Sequence, residues 1–263
     1  MLTMGIDIGS TACKCVILKD GKEVISKAVV SLGTGTTGPT RVVEEALAHK
    51  GLKRENIDRI MVTGYGRLTF EGADNQKSEL SCHAKGINFL FPAVRTVVDI
   101  GGQDVKILSI TAKGTLANFV MNDKCAAGTG KFLDVMARTI NVQVTELGDI
   151  ALSAMGEVNI SNTCTVFAES EVISKLSANV KVEDLVAGIH RSVAKRVAAL
   201  AFRNGIIPEV AMSGGVALNK GVVALLSEEL QTKIMVHEDC QLAGALGAAI
   251  LAAEEFARGA AKI

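Results

Sequence analysis

Two short stretches of the sequence repeat an aspartate, a glycine and a lysine at matching positions. Residues 7–14 (DIGSTACK) can be laid over residues 99–106 (DIGGQDVK), and each copy lies between two short apolar runs. A glycine at a turn between strands lets backbone N–H groups approach an anion with no Cβ in the way. The repeat therefore predicts two phosphate-binding turns, although two ordinary hairpins that bend at glycine would have a similar pattern.

The side chains of these turns fit the same chemistry. Ser10 and Thr11 add hydroxyl donors, and Lys14 adds a positive charge. Asp7 and Asp99, at the ends of the preceding strands, are hard oxygen ligands that can hold Mg²⁺ through water. The chain contains no G-x-x-x-x-G-K-[ST] sequence, so these turns are not a Walker A loop.

Two cysteines, Cys125 and Cys164, immediately precede runs that we predict to be helical, and residues that favour caps and turns flank both. The positive end of a helix dipole favours the thiolate, which is the form that binds metal. Two thiolates are too few for a four-thiolate iron–sulfur cluster, but a symmetric dimer doubles the number. Without further information, structural roles remain an alternative.

The other potentially reactive side chains have simpler interpretations. We expect the remaining cysteines to be small buried hydrophobic residues; they are Cys13, Cys15, Cys82 and Cys240. His83 has no partner at metal-ligand spacing, and we expect it to be partly buried. His190 and Arg191 are expected to be solvated, and Tyr65 and Arg67 to face solvent in a glycine loop.

The elements that carry these residues alternate between strands and helices. Each repeat is predicted as strand, tight glycine turn, strand, turn and strand, which indicates two similar lobes of an α/β protein. Between and after the repeats we predict helices at about 40–50, 126–140, 166–176 and 184–204. We predict an N-terminal lobe at 1–94 and a C-terminal lobe at 95–263, with the last helix able to pack back on the first lobe.

Composition narrows the function classes. Hydrophobic residues make up 48% of the 263, and 28 basic residues balance 28 acidic ones, with no tryptophan. Nucleic-acid binding normally requires a cationic face and often stacking aromatics, so it is not expected. There is no signal-peptide pattern, and the longest apolar stretch, 242–253, is shorter than the ~20 residues of a spanning helix. We expect a soluble, cytoplasmic protein that does not enter a membrane.

The two turns, together with the later stretch 213–219 (SGGVALN), resemble the ATPase superfamily of actin, the heat-shock chaperones and the sugar kinases. The resemblance implies two lobes with an ATP or ADP cleft between them. It implies phosphate contacts from Ser10, Thr11, Ala12, Cys13, Lys14, Gly101, Gly102 and Gln103. It also implies nucleoside contacts from Gly214, Gly215 and Asn219, and a group that orients the attacking water, Gln103 or Asp104. Asp7 and Asp99 complete the expected catalytic set.

The longer motifs resemble a narrower family, the activators of (R)-2-hydroxyacyl-CoA dehydratases, with the ATPase subunits of benzoyl-CoA reductases as relatives. The matching stretches are 5–11 (GIDIGST), 63–67 (TGYGR), 99–104 (DIGGQD), 122–130 (NDKCAAGTG) and 163–171 (TCTVFAESE). The resemblance covers essentially the whole chain.

What this family implies is an ATP-driven electron carrier. Its activators are homodimers that hold one [4Fe–4S] cluster between subunits, which assigns the ligands here to Cys125 and Cys164. Gln241 is implied near the nucleotide, with Mg²⁺ as cofactor. A ferredoxin or flavodoxin is the implied electron donor, and a separate dehydratase component the acceptor. Cys13 and Cys15 depart from the small or hydroxylic residues expected at these positions, and we expect Cys13 to contribute its backbone to the first turn.

Three alternatives remain. The chain could be the electron-activating ATPase subunit of a benzoyl-CoA reductase-type enzyme. It could be a nucleotide-binding module without a redox centre, or a small-molecule kinase of the same superfamily. A kinase needs a carboxylate base near the γ-phosphate, a role open to Asp99 or Asp104.

Overall fold

The computed structural model describes residues 1–122, 125–161 and 164–260, and these form two compact α/β units. The first unit comprises residues 1–94, 110–117 and the chain from residue 241 onward. The second comprises residues 95–109 and 118–240. The two predicted lobes and the α/β class are confirmed, whereas the predicted boundary between residues 94 and 95 stays a prediction.

Ten strands and eight α-helices lie within the described ranges. The strands are β1 (Leu2–Ile8), β2 (Cys13–Lys19), β3 (Glu23–Val30), β4 (Arg59–Thr63), β5 (Asn75–Gln76), β6 (Thr96–Ile100), β7 (Val105–Ile110), β8 (Leu116–Met121), β9 (Val210–Ser213) and β10 (Ile234–Met235). The helices are α1 (Gly38–Ala48), α2 (Glu79–Leu90), α3 (Gly130–Thr139), α4 (Leu147–Ser153), α5 (Thr165–Ser177), α6 (Val182–Asn204), α7 (Lys220–Leu230) and α8 (Ala243–Ala260).

The two sheets have the same topology. The first has the strand order β3-β2-β1-β4-β5, and the second, read in the matching direction, has the order β8-β7-β6-β9-β10. In each sheet the first strand of the meander pairs antiparallel with the second and parallel with the strand that follows the next helical segment. The structure therefore extends the repeat from three strands to five.

Strand register places the repeated residues at matching points. Asp7 of β1 lies opposite Lys14 of β2, and Asp99 of β6 lies opposite Lys106 of β7. The central strands β1 and β6 are apolar and buried on both faces, as strands covered by helices on both sides must be. An aspartate at the end of such a strand is held in place by the core beneath it.

The last helix, α8, belongs to the core of the first unit. It packs against α2 and the strands β1, β2 and β4. The contact is unusually close: a Cβ built at Gly247 would lie 1.8 Å from the carbonyl oxygen of Cys82, and one built at Gly86 would lie 2.0 Å from that of Ala243. Only glycine allows the two helix backbones to approach in this way.

Helix α8 is also the part of the described chain that could cross a membrane by its length and composition. The segment Cys240–Gly259 is long and apolar enough to cross a membrane by length and composition, which differs from the shorter stretch expected from sequence. However, 67% of its most apolar window is buried inside the protein. Such burial is typical of the core helix of a soluble protein.

Several sequence predictions need correction. The predicted helix at 126–140 begins only at Gly130, because residues 126–129 form a turn in which Gly128 has a φ of +85°. His190 is fully buried rather than solvated. Arg191 forms ion pairs of 2.8–3.1 Å with Glu157, Glu228 and Glu229. The spacing of apolar residues in α6 correctly identified its buried face. That face is wider than the spacing indicated, because it also includes His190.

Candidate nucleotide and metal site

Turn one, which we define as residues 7–14, is closed by its own backbone. Gly9 N–H donates to the carbonyl of Ala12 at 3.1 Å, so the chain reverses between β1 and β2 within four residues. Asp7 is 2% exposed, and its Oδ2 lies 3.0 Å from Lys14 Nζ. Ser10 and Ala12 are half-buried, Thr11 is exposed and Cys13 is buried. The turn thus presents a paired lysine and aspartate beneath a short exposed loop.

Turn two, residues 99–106, repeats this geometry with more charge. Gly101 N–H donates to the carbonyl of Asp104 at 2.9 Å, the counterpart of the Gly9 bond. Asp99 is also 2% exposed. Lys106 Nζ lies 3.6 Å from Asp99 Oδ2 and 2.8 Å from Asp104 Oδ1. Sequence reasoning aligned Lys106 with Lys14 but did not include it among the candidate site residues.

The rest of turn two is more open. Gly101 and Gly102 are half-buried, and Gln103 is exposed. The Asp104 carboxylate is held by its ion pair with Lys106. The exposed Gln103 side chain therefore has more conformational freedom than the half-buried Asp104. Which of them orients a water molecule stays a prediction.

A glycine follows the parallel neighbour of each aspartate strand. Gly64 after β4 has a φ of +88°, and Gly214 after β9 has a φ of +86°. A Cβ at Gly64 would lie 2.4 Å from Asp7 Oδ1, and one at Gly214 would lie 3.1 Å from Asp99 Oδ1 and 2.2 Å from Ile100 O. Both glycines therefore have a structural reason to be present, apart from any contact with a nucleoside.

Ser213 and Thr63, which precede these glycines, donate their hydroxyl hydrogen bonds to different kinds of acceptor. Ser213 Oγ donates to Asp99 Oδ1 at 2.8 Å. Thr63, at the equivalent register position, donates instead to the carbonyl of Lys77 at 3.0 Å. Within residues 1–122, 125–161 and 164–260, Asp7 Oδ1 is buried and has no hydrogen-bond partner.

His83 lies close to turn one and is more fully buried than the sequence predicted. It is 4% exposed, and a Cβ built at Gly244 would lie 2.9 Å from His83 Nε2 and 3.0 Å from Asp7 Oδ2. His83 Nε2 also lies 3.9 Å from Glu79 Oε1. No local sequence signal could have found this, because Asp7, His83 and Gly244 come together only through the packing of α2 and α8.

Of the residues predicted near the nucleoside, Gly214, Gly215 and Asn219 lie in or beside the 3₁₀ turn at 215–218, whereas Gln241 lies in a separate 3₁₀ turn at 240–242. Gly215 is exposed, and Gln241 is half-buried. Asn219 Oδ1 caps α7 by accepting from Val222 N at 3.0 Å, and it also lies 3.2 Å from His190 Nε2. The Asn219 side chain thus has a structural function, and its contact with a nucleoside stays a prediction.

The six cysteines divide clearly by exposure. Cys164 is exposed and Cys125 is half-buried, whereas Cys13, Cys15, Cys82 and Cys240 are all buried. Burial raises the pKa of the Cys13 thiol to about 11 and that of Cys82 to about 12, and it also raises the pKa of Cys15. A thiol with a raised pKa is a poor metal ligand at neutral pH.

The surroundings of the two accessible cysteines differ. Cys164 is the N-cap residue of α5, as predicted, and its carbonyl accepts from Ala168 N at 2.8 Å. Cys125 precedes a turn rather than a helix, so the dipole argument does not hold for it. Its carbonyl accepts from Asn122 Nδ2 at 2.7 Å. The motif residues Asp123, Lys124, Asn162 and Thr163 lie outside the described residues.

The chain is similar to proteins of known function along nearly its whole length. The chain is 58% identical to the 2-hydroxyisocaproyl-CoA dehydratase activator of Clostridioides difficile, over 97% of this chain and 96% of that protein. It is 54% identical to the (R)-2-hydroxyglutaryl-CoA dehydratase activating ATPase of Acidaminococcus fermentans, over 97% and 98%. A solved structure of the Clostridium difficile activator with bound ADPNP superimposes with a TM-score of 0.98 at 56% identity, covering 100% of this chain and 98% of that one.

The family model of the BadF/BadG/BcrA/BcrD ATPases matches residues 4–252, nearly the whole chain. The match includes both aspartate turns and both accessible cysteines. The chain therefore belongs to the BadF/BadG/BcrA/BcrD ATPase family.

Proposed function

We propose that this chain is an ATP-hydrolysing activator of a 2-hydroxyacyl-CoA dehydratase. The observation that carries the proposal is its near full-length similarity to two such activators. In this proposal the protein is a cytoplasmic homodimer that receives electrons from a ferredoxin or flavodoxin. It uses ATP hydrolysis to pass them, one at a time, to the dehydratase component.

The aspartate turns support the binding of ATP and ADP with Mg²⁺. The loop of turn one carries backbone N–H groups and the Ser10 and Thr11 hydroxyls, and Lys14 adds a positive charge beneath it, all of which suit phosphate. Asp7 Oδ1 is a buried carboxylate oxygen with no hydrogen-bond partner in the described ranges, as expected of an oxygen that accepts from a metal-bound water. When bound, Mg²⁺ neutralises phosphate charge during hydrolysis.

In turn two, both carboxylate oxygens of Asp99 already have partners, Ser213 and Lys106, and Asp104 Oδ1 is held by Lys106. Gln103 is exposed beside them. In this proposal Gln103 orients the attacking water.

The cysteines fit a cluster that two subunits share. Cys125 and Cys164 are the accessible thiols, and the raised pKa values of three of the buried thiols disfavour them as ligands. Two cysteines from each copy make the four thiolates of a [4Fe–4S] cluster. When bound, such a cluster supplies a one-electron carrier of low potential.

Anoxic purification tests the proposal. The protein should be a brown dimer with about four irons per two chains and a broad absorption near 400 nm. Cys125→Ser and Cys164→Ser should each abolish the colour, whereas the matched control Cys240→Ser should keep it. Purified dehydratases for several 2-hydroxyacyl-CoA substrates, and a benzoyl-CoA reductase, are then assayed with ATP and a low-potential reductant. ATP hydrolysis by a colourless, iron-free protein would contradict the proposal and favour a cluster-free nucleotide module.

A further inference from the structure

Asn122, at the end of β8, joins turn two to Cys125 through three hydrogen bonds. Its Oδ1 accepts from Val105 N at 2.8 Å, and its own N–H donates to Val105 O at 3.1 Å. Its Nδ2 donates to the carbonyl of Cys125 at 2.7 Å. Val105 directly follows Asp104, whose carbonyl closes turn two. One side chain therefore contacts both the exit of turn two and the backbone of a proposed cluster ligand.

A second connection fixes the other end of the same segment. Gly130 N and Lys131 N donate to the carbonyls of Gly101 and Gly102 at 2.9 and 2.8 Å. The start of α3 is thus bonded to the glycines of turn two. Asn122 and Gly130, which lie on either side of Cys125 in the sequence, are therefore both bonded to turn two.

The type of residue matters at position 122. An asparagine amide presents an acceptor and two donors in one plane, so it can bridge an N–H and a carbonyl at once. An aspartate would still accept from Val105 N but would place a negative oxygen against the carbonyl of Cys125. Serine is too short to make both bonds.

We infer that Asn122 is a positioning residue that transmits the nucleotide state of turn two to Cys125. The inference rests on the proposed function, since it assumes that turn two contacts the phosphates of ATP or ADP. When phosphate binding shifts the backbone of turn two, the bonds through Val105 and Asn122 move the Cys125 carbonyl with it. Nucleotide exchange would then alter the exposure of the Cys125 thiol.

The test uses the full-length, metal-free protein, in which the Cys125 thiol itself is the probe. Alkylation of each cysteine by iodoacetamide is followed by mass spectrometry without nucleotide, with saturating Mg-ADP and with a saturating non-hydrolysable ATP analogue. In the unaltered protein the Cys125 rate should differ between nucleotide states by about fivefold, the factor that one net hydrogen bond is worth. Asn122→Asp should reduce this factor clearly, because the bond to the Cys125 carbonyl is lost and only the attachment through Gly130 and Lys131 remains.

Two controls make the result specific. Asn118→Asp changes another asparagine of β8, whose side-chain amide donates to Asn204 Oδ1 at 3.3 Å, and it should keep the fivefold difference. Should the aspartate variant fail to fold, Asn122→Ser is expected to reduce the difference in the same way. A nucleotide effect of undiminished size in a folded Asn122 variant overturns the inference, and so does an unaltered protein whose Cys125 alkylation rate is the same in all nucleotide states.

This experiment is independent of the cluster assignment. If Cys125→Ser retains iron, the proposed function is wrong about its ligands. The alkylation of metal-free protein still reports whether turn two and residue 125 are coupled. The two proposals can therefore fail separately.

Discussion

Ser213 Oγ donates to Asp99 Oδ1 at 2.8 Å across 114 residues of sequence. The equivalent residue of the first unit, Thr63, donates to Lys77 O instead of to Asp7. Two aspartates at matching positions of matching sheets thus differ in one bond. Asp99 is satisfied by the protein, whereas Asp7 keeps an oxygen available, which supports different tasks for the two turns in nucleotide hydrolysis.

Removal of the Ser213 hydroxyl should destabilise the protein. Ser213→Ala leaves a buried carboxylate oxygen without its donor, which costs about 1–3 kcal/mol. Urea denaturation followed by circular dichroism measures the loss. Ser153→Ala, which removes an exposed hydroxyl on α4, should change the free energy of unfolding by less than about 0.5 kcal/mol. An equal effect of the two variants would contradict the importance of the Ser213 bond.

Lys106 should be more important for stability than its absence from the sequence-based candidates implied. Lys106→Met leaves Asp99 as a buried charge without its ion pair, and such losses cost about 3–5 kcal/mol. Denaturant unfolding and the rate of ATP hydrolysis should both show the defect. The control Lys113→Met, at an exposed turn position, should be close to neutral. A Lys106 variant of unchanged stability would show that the ion pair contributes nothing measurable.

His190 should make stability depend on pH. Burial lowers the pKa of its imidazole, while contacts with Val186 O at 2.9 Å and with Asn219 Oδ1 at 3.2 Å oppose that shift. The unfolded state, with a histidine pKa of about 6.5, then binds a proton before the folded state does. Stability should be fully present above about pH 6.5 and fall below it, by at most about 1.4 kcal/mol per pH unit from this residue.

The comparison with His190→Gln isolates this contribution. Unfolding free energies measured between pH 5 and 8 should fall more steeply below about pH 6.5 in the unaltered protein than in the variant. Parallel curves would mean that the folded-state pKa of His190 is not lowered.

The close contact of α2 and α8 predicts opposite effects for two glycine substitutions in one helix. Gly247→Ala places a Cβ 1.8 Å from the carbonyl of Cys82, so the backbones must separate, at a cost of about 1–3 kcal/mol or more. Gly259→Ala meets nothing within 4 Å and should stabilise the helix by about 0.5–1 kcal/mol. Thermal unfolding of both variants checks the signs, and a stabilised Gly247 variant would show that the helices are not packed this closely.

Much of the fold was predictable because its signals are local. The Asp-Ile-Gly repeats lie between apolar runs, and this pattern predicted the turns and the meanders at both copies. The long helix ending at Asn204 was predicted from its apolar periodicity and the glycine that follows it. The start of α3 was predicted too early, because Gly128 requires a left-handed conformation that propensity at residues 126–129 did not reveal.

The candidate site was less predictable than the fold. Sequence identified the aspartates and both accessible cysteines but missed Lys106 and the Ser213 bond, and it misjudged His83 and His190. Each of these depends on a partner on another strand or helix. Register and helix packing, rather than neighbouring residues, decide such contacts.

By itself, the sequence determined the duplicated turns, the α/β class and the residue types for phosphate and metal chemistry, because these properties depend on short-range spacing. Only the tertiary structure decided which aspartate oxygen remains available, and that Asn122 bridges Val105 and Cys125. Those properties depend on what the folded chain brings from distant residues to exclude water or donate a hydrogen bond, and no local pattern carries that information.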